Sequence, residues 1–117
     1  MTLEQVAEIL ECTVLSGNDQ LQTEVKIGCS SDLMSDVLAF SKPGCLLLTG
    51  LSNSQSVLTA DVADVKAIVY VRGKRPDERT LKLAQTKKIP ILATRNVMFE
   101  ACGKLYEAGL QGVGKIL

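Results

Sequence analysis

The chain has no histidine, no tryptophan and only two phenylalanines and two tyrosines in 117 residues. Without histidine it holds no imidazole to serve as a base near neutral pH. Phe40, Tyr70, Phe99 and Tyr106 are too few for a protein that binds nucleic acid by stacking bases. Charge of either sign is also missing in excess: 13 Lys and Arg balance 13 Asp and Glu. A neutral chain gives no electrostatic case for a nucleic acid or an anionic membrane. Apolar runs are a few residues long, far below a bilayer span, and the N-terminus lacks the pattern of a signal peptide. A cytoplasmic location is expected.

Cys12, Cys29, Cys45 and Cys102 are scattered, with no Cys-x-x-Cys pair. That spacing, with no histidine, argues against a zinc site, and an iron–sulfur cluster would need distant loops to converge. The simplest reading is four small core residues in a reducing compartment. The strong phosphate signatures, Gly-x-Gly-x-x-Gly and Gly-x-x-x-x-Gly-Lys-Ser/Thr, are absent as well. No spacing of Cys, Ser and Asp suggests an activated nucleophile, so neither an enzyme nor a cofactor or metal is expected.

What is present is a globular composition, 46% apolar, at the size of one domain. Thr2 and Gln5 form a capping-box pattern ahead of Leu3, Val6, Ala7, Ile9 and Leu10, which predicts a helix over 3–11. Cys12–Leu15 reads as a short strand, 16–19 as a turn, and Glu24–Cys29 as a half-buried strand. Ser31 or Asp32 can cap a helix whose buried stripe is Leu33, Met34, Val37 and Leu38. Cys45–Thr49 and Ala67–Val71 are continuous apolar runs, the mark of strands covered on both faces. Between them, Ser52 and Gln55 are spaced as a second capping box for a helix over 53–63.

Asp77 caps a helix to Lys87, and Ile89–Ala93 is a further strand. Thr94 or Asn96 caps a last helix with the stripe Val97, Met98, Ala101, Cys102, Leu105 and Tyr106, stopped at Gly109. The alternation of strand and helix predicts an α/β domain over 1–110, three layers deep, with a mainly parallel or mixed sheet. Residues 111–117 read as a tail, flexible or paired as a strand with a partner chain.

In such sheets ligands bind beyond the carboxyl ends of the strands. The candidate ligand residues are Thr49, Gly50, Ser52 and Asn53 after one strand, Arg72, Gly73 and Lys74 after the next, and Thr94 and Arg95 after the last. The ligand they suit is a nucleotide or a phosphorylated small molecule. Asp32 with Asp36, and Asp61 with Asp64, are close acidic pairs; Asp32 reads most simply as a cap and Asp36 as surface. Phe99 falls off the apolar stripe of the last helix, and Val113, Ile116 and Leu117 make the tail apolar. These four are the candidate interface of a homodimer, or of an unidentified protein partner.

The segments Asp32-Leu-Met-Ser-Asp36-Val-Leu, Leu46-Leu-Leu-Thr-Gly50, Thr59-Ala60, Ala67-Ile-Val-Tyr-Val-Arg-Gly73 and Ile89-Pro-Ile-Leu-Ala-Thr94 together resemble the DRTGG domain family, in particular its small stand-alone members. The resemblance runs to about Leu110. It implies a three-layer α/β/α domain similar to the N-terminal domains of HPr kinase and of MurF-type ligases. It also implies a regulatory or dimerising role, as in DRTGG domains within phosphotransacetylases and between the CBS domains of regulated pyrophosphatases, and a source among anaerobic bacteria or archaea. The chain departs from the family pattern where other members carry Asp-Arg and Gly-Gly: it has Leu51-Ser52 and Arg72-Gly73.

Overall fold

Two apolar runs with both faces covered make the middle of the molecule. In a computed structural model describing residues 1–116, β3 (Leu46–Thr49) lies parallel to β4 (Ala67–Tyr70), with Leu46 opposite Ala67 and Thr49 opposite Tyr70. β2 (Gly28–Ser30) extends the sheet in parallel beyond β3, and β5 (Ile91–Ala93) does so beyond β4. β1 (Thr13–Ser16) closes the far edge antiparallel to β5, giving the order β1-β5-β4-β3-β2. The expected mixed sheet is therefore parallel except at one edge.

The helices α2 (Met34–Phe40), α3 (Ser54–Val62) and α4 (Glu78–Lys87) connect the four parallel strands. Each crossover moves the same way across the sheet, and right-handed crossovers then put all three helices on one face. Cys45, Leu47, Ile68, Tyr70 and Ile91 point into that layer. The alternate residues Leu46, Leu48, Ala67, Val69 and Leu92 point the other way, against α1 (Leu3–Leu10) and α5 (Met98–Glu107). The result is the predicted three-layer α/β/α sandwich.

Local chemistry agrees with several of the expected boundaries. The Thr2–Gln5 capping box is formed in both directions. The Thr80 N–H donates to Asp77 at 2.8 Å, capping α4. Gly109, at φ +112°, follows the last residues of α5 in the position that favours glycine. Gly17 (φ +82°) is more constrained still: a Cβ there would lie 2.8 Å from the Pro90 backbone.

Other expectations are corrected. The strand read over Glu24–Cys29 is only Gly28–Ser30. Its first half instead pairs with the start of α1, through the Thr2–Glu24 bridge and the Val25 N–H donating to the Met1 carbonyl at 2.8 Å. The alternation there reflects Val25 buried between helices, not a strand in the sheet. Leu33 and Leu38 are more than half exposed, since α2 covers only the sheet edge and two inward positions, Met34 and Val37, suffice. Ser52 does not cap α3; Asn53 stands at its N-cap without a side-chain bond.

Neither Thr94 nor Asn96 caps α5, whose N-cap is Val97, and Val97 and Tyr106 are exposed although they sit in the predicted stripe. At the C-terminus, Gln111 runs beside Ile27 in a parallel bridge within the chain, and the Gly28 N–H donates to its carbonyl at 2.8 Å. The interface candidate Leu117 lies outside the described residues. Among the described residues no helix is long and apolar enough to cross a membrane.

Candidate functional site

All four parallel strands end at one edge of the sheet, so the loops after them meet there. Asp32, two residues beyond β2, reaches across to the loop after β3. Its Oδ1 accepts from the buried Gly50 N–H and from the Thr49 hydroxyl at 3.3 Å. Its Oδ2 accepts from Arg72 Nη1 at 3.1 Å, bringing in the loop after β4. Asp32 is thus not a helix cap. It is the acceptor on which three loops converge, and Asp36 lies apart on the exposed face of α2.

These donors hold the Asp32 carboxyl below the usual carboxylate range. The Gly50 N–H is the main cause, partial desolvation opposes it, and Arg72 and Thr49 add to the lowering. The Arg72 guanidinium lies directly on Gly50: any side chain there would overlap it. Arg72 itself has a positive φ of 49°, and Gly73 follows at 75°. The Lys74 N–H closes this turn onto the Val71 carbonyl at 3.1 Å, a pattern that needs left-handed backbone at both central positions. Glycine meets that need freely at the second position; at the first, the Arg72 N–H bond to the Asn96 carbonyl (2.7 Å) holds the turn in place.

Of the nine ligand residues read from sequence, Thr49, Gly50 and Arg72 are gathered around Asp32. Gly73 and Thr94 meet through the backbone, the Gly73 N–H donating to the Thr94 carbonyl at 2.9 Å. The Thr94 hydroxyl is buried and turned inward. It donates to the Leu10 carbonyl at 2.7 Å and accepts from the Asn96 N–H, closing the C-terminal end of α1. Ser52 is half-buried, and Asn53, Lys74 and Arg95 are exposed. Neither Lys74 nor Arg95 makes an ion pair among the described residues.

The strand-end edge is thus closed largely by its own side chains. A reason lies in the topology: crevices open where successive crossovers pass to opposite faces of the sheet, and those from β2 to β5 all stay on one face. Arg72 engages Asp32 through Nη1 alone, so its guanidinium keeps further N–H donors for an anion, and the ion pair itself is cheap to exchange because both groups are about half exposed.

Sequence reasoning missed Asp32 as the centre of this edge. The signal was available in its position directly after a strand, as with the other three loops, but it depends on β2 lying beside β3.

The exposed apolar residues lie elsewhere. Phe99 is 84% exposed and Tyr106 69%, and with Gly103 between them they share one outward face of α5 at i, i+4 and i+7 spacing. Ile116 is exposed and Val113 half-buried. Phe40 on α2 is also about half exposed, so Tyr70 is the one aromatic side chain in the core.

The DRTGG domain family model matches residues 5–108, and the chain belongs to that family. Its fold is shared with a solved structure of the CBS and DRTGG domains of the regulatory region of a Clostridium perfringens pyrophosphatase, complexed with the activator diadenosine tetraphosphate. The two are 14% identical, with a TM-score of 0.76 over 93% of this chain. The match covers 47% of the length of that structure. No curated protein shows significant similarity to the chain.

Proposed function

We propose that this protein is a regulatory, non-catalytic DRTGG module that works as a homodimer joined through α5 and the C-terminal segment. The observation that carries the reading is the placement of its aromatic residues. Three of the four stand at the surface, and two of them flank Gly103 on one helix face. Large aromatic side chains in water are the residues most often found as binding anchors. An aromatic ring of one copy seated over Gly103 of another would bury both. The regulatory part of the reading is supported by the similar fold found in the regulatory region of a pyrophosphatase.

The test is the mass of the protein in solution by light scattering and native mass spectrometry. The expected result is a dimer, which Phe99→Glu weakens at least 30-fold. That loss corresponds to an aromatic anchor worth about 2 kcal/mol or more. A wild-type monomer at high micromolar concentration would overturn the reading.

A second reading, a sensor of nucleotides or phosphorylated metabolites at the strand-end loops, is favoured by one observation. Arg72, with Lys74 on the same loop and Arg95 on the next, lies at the edge where the parallel strands end, and the structure of similar fold was solved with a dinucleotide activator. Titration calorimetry with diadenosine tetraphosphate tests it. Under this reading Arg72→Ala lowers affinity about tenfold or more, the worth of one charge-assisted hydrogen bond, and leaves the dimer intact. Absence of heat with wild-type protein at millimolar ligand would remove the reading.

A further inference from the structure

Cys29 lies in β2 and Cys45 directly before β3. The parallel register sets Cys29 opposite Leu47, so Cys45 is two residues back on the same face of the neighbouring strand. Both side chains belong to the layer under α2–α4, and their sulfurs are 3.0 Å apart. Both are free thiols. Cys12 and Cys102 pack on the opposite side of the sheet.

We propose that Cys29 and Cys45 form a reversible dithiol–disulfide couple whose oxidant is a low-molecular-weight disulfide. The sulfurs already stand at the separation of reacting atoms in a near-attack arrangement, about 3 Å, and need only close by about 1 Å to bond. Access is one-sided. Cys45 is fully buried, whereas Cys29 lines an open depression of about 330 Å³ between Val37, Phe40, Ser41 and Val113.

The reaction runs in two exchanges. Cys29, as thiolate, attacks one sulfur of the small disulfide; a bond forms between Cys29 and that half. The other half leaves as a thiolate and takes up the proton Cys29 has lost. Cys45 then attacks Cys29 Sγ, the bond to the first half breaks, and that half leaves with the Cys45 proton. Two protein thiols are oxidised, and one small disulfide is reduced to two thiols.

The contact prepares the second exchange by geometry: once Cys29 carries the first half, Cys45 Sγ is already beside Cys29 Sγ, where either thiol of the reduced pair can donate to the other. One strand leads to Asp32, two residues beyond its end, and the other ends at Thr49, so the new bond would fix β2 to β3 directly below the strand-end cluster.

The test equilibrates the whole chain, without oxygen, in glutathione buffers spanning a wide range of oxidised-to-reduced ratios. Acid quenching, unfolding, alkylation and peptide mapping then report each cysteine. The expected result is that Cys29 and Cys45 lose alkylation together, with a disulfide-linked peptide pair, while Cys12 and Cys102 stay fully alkylated. Cys45→Ser should hold glutathione as a mixed disulfide on Cys29, and Cys29→Ser should leave Cys45 alkylated. Circular dichroism confirms that each variant is folded, with Cys45→Ala in reserve if the serine variant is not. Free thiols at both positions at every ratio, a disulfide to Cys12 or Cys102, or a folded Cys45 variant that takes no glutathione would each overturn the proposal.

Discussion

Replacing Tyr70 with alanine is expected to lower stability by about 3–5 kcal/mol, the usual cost of deleting a buried aromatic ring. Tyr70 is the largest fully buried side chain and lies on β4, the middle strand of the sheet. Its hydroxyl is 2.7 Å from Ser56 Oγ, and the single Ser56 proton goes to the Asn53 carbonyl at 2.7 Å. Tyr70 must therefore be the donor to Ser56. The chain Tyr70–Ser56–Asn53 pins the first turn of α3 to the centre of the sheet. It also fixes where the loop after β3 ends.

Tyr70→Phe separates ring from hydroxyl. It removes one hydrogen bond and leaves the ring in place, so a loss of about 1 kcal/mol is expected. Set against a typical total of about 5–15 kcal/mol, the alanine variant loses a large share of its stability. Its thermal midpoint should fall by about 10–20 °C, and that of the phenylalanine variant by a few degrees. Urea unfolding followed by circular dichroism measures both. Equal losses for the two variants would mean that the hydroxyl, not the ring, holds the sheet to α3.

The second large effect is expected at Asp32. Asp32→Ala leaves the buried Gly50 N–H and the Thr49 hydroxyl without their acceptor and frees Arg72. An unsatisfied buried donor costs about 1–3 kcal/mol; water admitted to this half-exposed edge keeps the expected loss near 2 kcal/mol. The variant also changes the acid limb of stability. The folded Asp32 carboxyl lies below its unfolded value, so the folded state favours the ionised form.

That contribution is present in full above the unfolded value, about pH 4, and is lost as the pH falls through the lower folded value. Wild-type protein should therefore lose stability more steeply than Asp32→Asn as the pH falls below about 4. The two curves should run parallel at neutral pH. Urea midpoints across the acid range measure the slope. Identical slopes would mean that Asp32 is not ionised in its bonds to Gly50 and Arg72.

The sequence by itself determined the architecture. Cys45–Thr49 and Ala67–Val71 are apolar without a break, which only strands buried on both faces tolerate. Two helices on either side of this pair, α1 and α4, announce themselves by short-range chemistry, Thr2 with Gln5 and Asp77 with the Thr80 N–H. These are effects within a few residues, and a few residues of sequence display them. α3 was harder to read because Ser56 and Thr59 lie on its buried face and blur the apolar pattern.

What only the tertiary structure decided are relations between distant strands. Asp32 meets Gly50 because β2 pairs with β3, and Thr94 turns to Leu10 because α1 ends beside β5. Cys29 meets Cys45 because the register of that pair is Gly28 with Leu46. The exposure of Phe40, Phe99 and Tyr106 follows from which face of each helix the sheet has room to cover. Strand order and register arise from packing the whole core at once, so no local spacing encodes them.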